Sequence, residues 1–161
     1  MYKEETFAYV RAMWKKRWLV TALPTCLMLV LAIFTFTTGQ MQRQEWGWIA
    51  ACAASIVGGA YFIFMYGVYV RPAALYKQHV NHMLHGRLRE TAGVLQDIAV
   101  TPCNQDGLDY YALTINVGEL CAAEDERLLY YDALLGKPQI QTGTKVSAFS
   151  NDRKISQILM I

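Results

Sequence analysis

The stretch LVTALPTCLMLVLAIFTFTTGQMQ, residues 19–42, carries no charged side chain, and neither does WGWIAACAASIVGGAYFIFMYGVYV, residues 46–70. These runs of 24 and 25 residues each exceed the ~20 apolar residues a helix needs to cross a hydrocarbon core. The chain is therefore read as a membrane protein, with a hairpin of two spans over residues 18–38 and 47–70 inside an 18–70 segment. The first run is longer than the apolar part of a signal peptide. It ends in Phe34-Thr-Phe-Thr-Thr-Gly39 without a small-residue cleavage pattern, so it is read as retained.

Orientation follows from Lys and Arg. Lys3, Arg11, Lys15, Lys16 and Arg17 precede the first span, and Arg71, Lys77, Arg87 and Arg89 follow the second. The connecting loop, around Gly39 to Gly47, holds only Arg43. Positive residues near span ends stay cytoplasmic, so both termini are expected on the cytoplasmic side of a cell membrane, read as a bacterial inner membrane, with the loop outside. Trp14, Trp18, Trp46 and Trp48 flank the spans as interfacial rings do. Lys15, Lys16, Arg17, Arg71 and Lys77 are the expected contacts to lipid headgroups. Residues 1–90 balance to +6 and residues 91–161 to −4. An acidic second half offers no clustered cations for a phosphate backbone, so no nucleic-acid partner is expected.

Residues 1–17 form a segment before the first span, and over residues 2–18 Phe7, Val10, Trp14 and Trp18 recur at helical spacing. The segment is read either as an interfacial amphipathic helix or as an extension of the first span. Pro24, one turn into that span, removes a hydrogen bond and is tolerated where a neighbour satisfies the freed carbonyl. The second span carries two rows of small residues, Ala50/Ala54/Gly58 and Ala51/Ser55/Gly59. In lipid, packing drives helix association, and small residues four apart let backbones approach. One reading packs both rows on the first span; the favoured reading gives one of them to another copy of the chain. No Asp, Glu, Lys, Arg or His lies in either span, which weakens a pump or secondary-transporter reading.

Arg71-Pro72 opens a juxtamembrane amphipathic helix expected over residues 71–90, with Leu75, Tyr76, Val80, Met83, Leu84 and Leu88 on its apolar face. His79, His82 and His85 are the only histidines and share one flank of this helix. They are the candidate metal or proton-sensing group. Solvation on a polar face is favoured, because a metal draws ligands from more than one element.

From Gly93 the apolar period changes to two. Strands are expected at residues 94–100, 108–117, 127–132, 145–150 and 154–160, with turn signals at Gln105-Asp106-Gly107, Gly136-Lys137-Pro138, Thr142-Gly143 and Asn151-Asp152. Five short strands in residues 91–161 read as a small cytosolic β-barrel of the OB or SH3-like kind. Of the paired tyrosines, Tyr110-Tyr111 and Tyr130-Tyr131, one ring of each pair must face inward and the other outward. Glu124-Asp125-Glu126 lacks the ligand spacing of a calcium loop and is read as a solvated loop. Cys26, Cys52, Cys103 and Cys121 form no C-x-x-C pair and are read as free thiols.

The fold class is thus α+β: a two-helix hairpin, a juxtamembrane helix and a C-terminal five-stranded barrel. On Gly93-Val94-Leu95-Gln96-Asp97-Ile98 and Gly143-Thr-Lys-Val-Ser-Ala…Ile155, the architecture resembles membrane-anchored OB-fold proteins of the NfeD type. It also resembles a stripped-down small-conductance mechanosensitive channel. The likeness is one of architecture, and no functional residue is carried over.

No nucleophile elbow, P-loop, dinucleotide fingerprint or H-E-x-x-H is present, so neither an enzyme nor a cofactor is expected. The leading expectation is a non-enzymatic scaffold that forms homo-oligomers through its second span and uses the barrel to bind a partner protein. The alternative is a homo-oligomeric channel with the second span lining the pore.

Overall fold

A computed structural model describes residues 2–42, 45–118 and 123–161. Arg43 and Cys121 lie outside the described residues. The fold is α+β: two long apolar helices followed by a six-stranded sheet. The chain forms two compact units, one of residues 9–74 and one of residues 1–8 with 75–161.

Helix α1 runs from Glu4 to Gln42 without a break, and α2 from Trp46 to Met65. Both are long and apolar enough to cross a membrane, and few residues in their most apolar stretches are buried within the chain. From Glu4 onward the first residues belong to the same continuous helix as the apolar run. The connection between the helices is also tighter than Gly39 to Gly47, since helix persists to Gln42 and resumes at Trp46.

Within this unit the helices form an antiparallel hairpin with a regular register. Gly39 meets Gly47, Met28 packs on Gly58, and Arg17 reaches Tyr69. At the Gly39–Gly47 contact, a Cβ on either residue would fall on the other's backbone. Glycine lets two helices approach this closely because nothing projects between the chains. Pro24 stays inside α1, and the Val20 carbonyl that it cannot bond accepts the Tyr61 hydroxyl at 3.1 Å.

A π-helical turn at Tyr66–Val70 leads from α2 into α3 (Arg71–His85). Helix α3 stops earlier than the expected residue 90. Gly86 closes it by donating to the His82 carbonyl at 2.9 Å, and Arg89 already begins a strand.

The sheet of the second unit comprises β1 (Arg89–Ile98), β2 (Cys103–Gln105), β3 (Leu108–Asn116), β4 (Glu126–Asp132), β5 (Lys145–Asn151) and β6 (Lys154–Met160). Among the described residues six strands stand where five were expected. The added one, β2, is three residues long and folds onto β3 across Asp106 and Gly107, which adopt φ of 55° and 79°. Those angles suit the two-residue turn that Asp-Gly favours.

The pairing order is β1-β5-β6-β4-β3-β2, and β1 also pairs with β3. All pairings are antiparallel except β4 with β6. A bulge between Leu95 and Asp97 lets β1 turn from β5 toward β3. Leu95, Leu113, Ile115, Leu129, Val146, Ala148 and Ile155 form the buried core, with Tyr111 and Tyr131 packed against it. Glu124 and Asp125 belong to a short 3-10 turn, and Glu126 opens β4 rather than lying in a loop.

Candidate functional site

The tyrosines that do not join the core create the most distinctive feature of the second unit. Along a strand successive side chains alternate faces, so Tyr110 points away from Leu113 and Ile115. Its ring is nonetheless buried, edge-on to His79 of α3 at 5.5 Å between centroids. His79 is only 6 % exposed. It therefore departs from the solvated flank expected for the histidine triplet.

Around this ring runs a chain of hydrogen bonds. The Tyr2 hydroxyl donates to Asp132 Oδ2 at 2.8 Å and lies 3.0 Å from His79 Nε2. Because its proton is committed to the carboxylate, the Tyr2 oxygen can only accept from the imidazole, which fixes the proton on Nε2. His79 Nδ1 is then an acceptor and receives the Tyr110 hydroxyl at 3.2 Å. Asp132 Oδ1 accepts the Leu134 amide at 2.9 Å, so the carboxylate also caps the 3-10 turn at Ala133–Leu135.

The electrostatics agree with this proton arrangement. Burial lowers the His79 pKa from 6.5 to about 4; the Asp132 charge opposes the shift, while Lys154 and His82 add to it. The imidazole is therefore neutral at physiological pH. Tyr2, Tyr76 and Tyr110 are all pushed above the usual phenol range, first by burial and then by the Asp132 carboxylate. Every hydroxyl in the cluster thus remains a donor. Both ring nitrogens of His79 are occupied, so the group ties together the N-terminal residues, α3, β3 and β4 and presents no free base to a substrate.

The other two histidines go elsewhere. His85 is exposed, with Nε2 at 3.5 Å from Glu4 and its ring edge-on to Phe7. His82 lines a cavity of about 240 Å³ beside His79, shared with Asp106, Asp152 and Lys154. There Lys154 Nζ bonds Asp106 at 2.9 Å and holds that carboxyl below its ordinary value. Among the described residues no three His, Cys, Asp or Glu side chains converge as metal ligands. His79 and His82 thus line one cavity together, and His85 is not among its lining residues.

In the helical unit the two rows of small residues also divide. Ala51 and Gly58 are buried and Ala54 half-buried, whereas Ala50, Ser55 and Gly59 are exposed. A Cβ on Gly58 would press on Met28, but one on Gly59 would meet nothing within 4 Å. Of the proposed headgroup contacts, Lys15, Lys16 and Arg71 are exposed and Lys77 is half-buried. Arg17 instead donates to the Tyr69 carbonyl at 3.2 Å with its guanidinium 4.7 Å from that ring's centroid.

Sequence reading missed Tyr2 and Asp132 as members of the buried cluster. Asp132 carried one local signal, an Asx residue directly before the short apolar run Ala133-Leu-Leu135; Tyr2 carried none. No protein-family model, curated protein or solved structure matches this chain.

Proposed function

We propose that this chain is a membrane-anchored, non-enzymatic scaffold that self-associates through α2 and displays its sheet domain as an assembly or partner-binding module. The observation that carries the reading is the split of the small residues on α2. On one face Gly58 packs on Met28 of α1, with Ala51 buried and Ala54 half-buried, while Ser55 and Gly59 are exposed beside it. Lipid chains pack poorly against such a groove compared with a second helix. The expected partners are the bilayer, further copies of the chain and a partner protein.

Both helices would cross a cell membrane, with the sheet domain on the cytoplasmic side. Tyr2 bonding to His79 and Asp132 supports an even number of crossings, because the first residues and the last domain then share a side. The Lys and Arg distribution supports the cytoplasmic assignment. The exposed Lys15, Lys16 and Arg71 would meet headgroups.

We further read the sheet as a closed five-strand barrel with β2 as an appendage. The order β1-β3-β4-β6-β5 returning to β1, with β4 and β6 as the parallel pair, favours the OB kind over the SH3-like kind. This reading is in keeping with the resemblance to NfeD-type proteins.

The test is native mass spectrometry of the protein in lipid nanodiscs, comparing Gly59→Leu with Gly58→Leu. G59L is expected to reduce the oligomer to monomer with the hairpin intact, and G58L to disturb the hairpin itself. An oligomer of unchanged mass in G59L overturns the reading. A closed ring of about five or more copies would shift it toward a pore lined by Ser55 and Gly59, to be checked by conductance.

A further inference from the structure

Residues 75–161 contain four arginines, Arg87, Arg89, Arg127 and Arg153, and all four line one open groove of about 820 Å³. The four lysines of the same stretch, Lys77, Lys137, Lys145 and Lys154, contribute nothing to its wall. The arginines arrive from three separated places: the entry into β1, the start of β4 and the β5–β6 turn. Glu126 and Asp152 are the only carboxylates among the lining residues, leaving a formal balance of +2 in a domain that is otherwise acidic.

Two details single out Arg153 and Arg127 among the four. Arg153 has φ of 64°, at the second central position of the two-residue turn between β5 and β6. That position favours glycine, and a long side chain in the left-handed region is a strained choice for a turn. The turn is also fixed in space, since Asn151 Nδ2 donates to the His82 carbonyl at 3.2 Å beside the close approach of Gly86. Arg127 is oriented by backbone alone, its Nη1 donating to the carbonyls of Glu124 at 3.3 Å and Glu126 at 3.2 Å. Among the described residues no carboxylate lies within ion-pair distance of any of the four arginines.

We propose that this groove binds a small anion through a phosphoryl group, carried either by a free phosphate compound or by a phospholipid headgroup. A planar guanidinium offers paired N–H donors that match two oxygens of one phosphate, which an ammonium cannot do. Selection of arginine to the exclusion of lysine is therefore a signature of phosphoryl recognition more than of general positive charge. The volume suits a small ligand. The acidic surroundings disfavour a long polyanion, whose further phosphates would leave the groove and meet negative charge. The inference stands apart from self-association through α2 and concerns different residues.

The experiment uses the full chain in phosphatidylcholine nanodiscs and titrates two soluble probes by calorimetry, inorganic pyrophosphate and glycerophosphoglycerol. The expected result is saturable binding of at least one of them. Tighter pyrophosphate binding assigns a free phosphate compound, and tighter binding of the phosphodiester assigns a headgroup. Arg153→Gly suits the turn and so preserves the fold; it is expected to weaken binding about tenfold. Arg127→Lys keeps the charge but removes the fork and is expected to weaken it several-fold, while Lys145→Ala, outside the groove, leaves it unchanged. Absence of saturable binding, affinity unchanged in both R153G and R127K, or tighter binding of a single-stranded oligonucleotide than of either probe would each overturn the proposal.

Discussion

Tyr61 donates its hydroxyl to the carbonyl of Val20, the group that Pro24 leaves without its helical partner. In water such a carbonyl would take a solvent hydrogen bond at little cost. In a hydrocarbon core, where the proposed anchoring would put it, it has no alternative, and an unmet polar group there costs several kcal/mol. A proline and a tyrosine 37 residues apart therefore act as one structural unit.

This pairing makes a cycle of variants informative. Tyr61→Phe is expected to lower hairpin stability by about 1–2 kcal/mol. In a Pro24→Ala background residue 24 regains its N–H and can bond Val20 itself, so the same Tyr61→Phe change should cost little. Unfolding of the four variants in mild detergent measures the coupling. Equal losses in both backgrounds would show that Tyr61 acts elsewhere.

The tight contact between Gly39 and Gly47 leads to a second expectation. A methyl group at Gly47 would lie against the Gly39 backbone and the Thr35 carbonyl, neither of which can move aside as a side chain tip does. Gly47→Ala should destabilise the hairpin by about 1–3 kcal/mol. Gly59→Ala, into open space, should leave monomer stability near that of the parent. Thermal unfolding of the two variants under monomeric conditions provides the comparison.

The buried imidazole of His79 predicts a pH dependence with a definite sign. Its pKa lies near 6.5 in the unfolded chain and at about 4 in the fold, because burial disfavours the charged ring. Between those values only the unfolded chain takes up the proton. Stability from this group is thus complete above pH 6.5, declines as pH falls toward 4 and then levels off, a change on the order of 3 kcal/mol. His79→Gln should flatten that part of the profile when unfolding free energies are measured from pH 7 to pH 4. A profile identical to that of the parent would mean that the imidazole takes up its proton at the same pH in the fold as in the unfolded chain.

The same cluster controls the first residues of the chain. Tyr2→Phe removes the acceptor for His79 Nε2 and one donor to Asp132. Leaving a buried donor unmet costs about 1–3 kcal/mol, so the N-terminal residues should release from the sheet unit. Trypsin cleavage after Lys3, slow in the parent, should become fast in Y2F; equal rates would place the anchoring of this segment in Phe7 and Glu4 instead.

What the sequence could disclose divides along physical lines. Span length is a local quantity, so both apolar helices were legible, and the turn signals located all but one strand. Short β2 was missed because three residues following Pro102 carry no period. Periodicity also revealed both small rows of α2, but a period assigns faces and not partners. Only the register with Met28 separates Gly58 from Gly59. The spacing of His79, His82 and His85 fixed their flank, whereas the burial of His79 depends on Tyr2 and Tyr110, which lie 77 and 31 residues away. The arginine groove is illegible for the same reason, since strand order brings its members together.

Arg153 links stability to function in opposite directions. Replacing it by glycine removes a side chain from the left-handed region and should raise stability by up to about 1 kcal/mol. The same change removes one of four guanidiniums from the groove and should weaken pyrophosphate or headgroup binding. A side chain retained only by chance would show the first effect without the second. Measuring the melting temperature and the binding isotherm of R153G on one preparation separates these cases. A gain in stability together with a loss of affinity identifies the strain at φ 64° as the cost of placing a ligand contact.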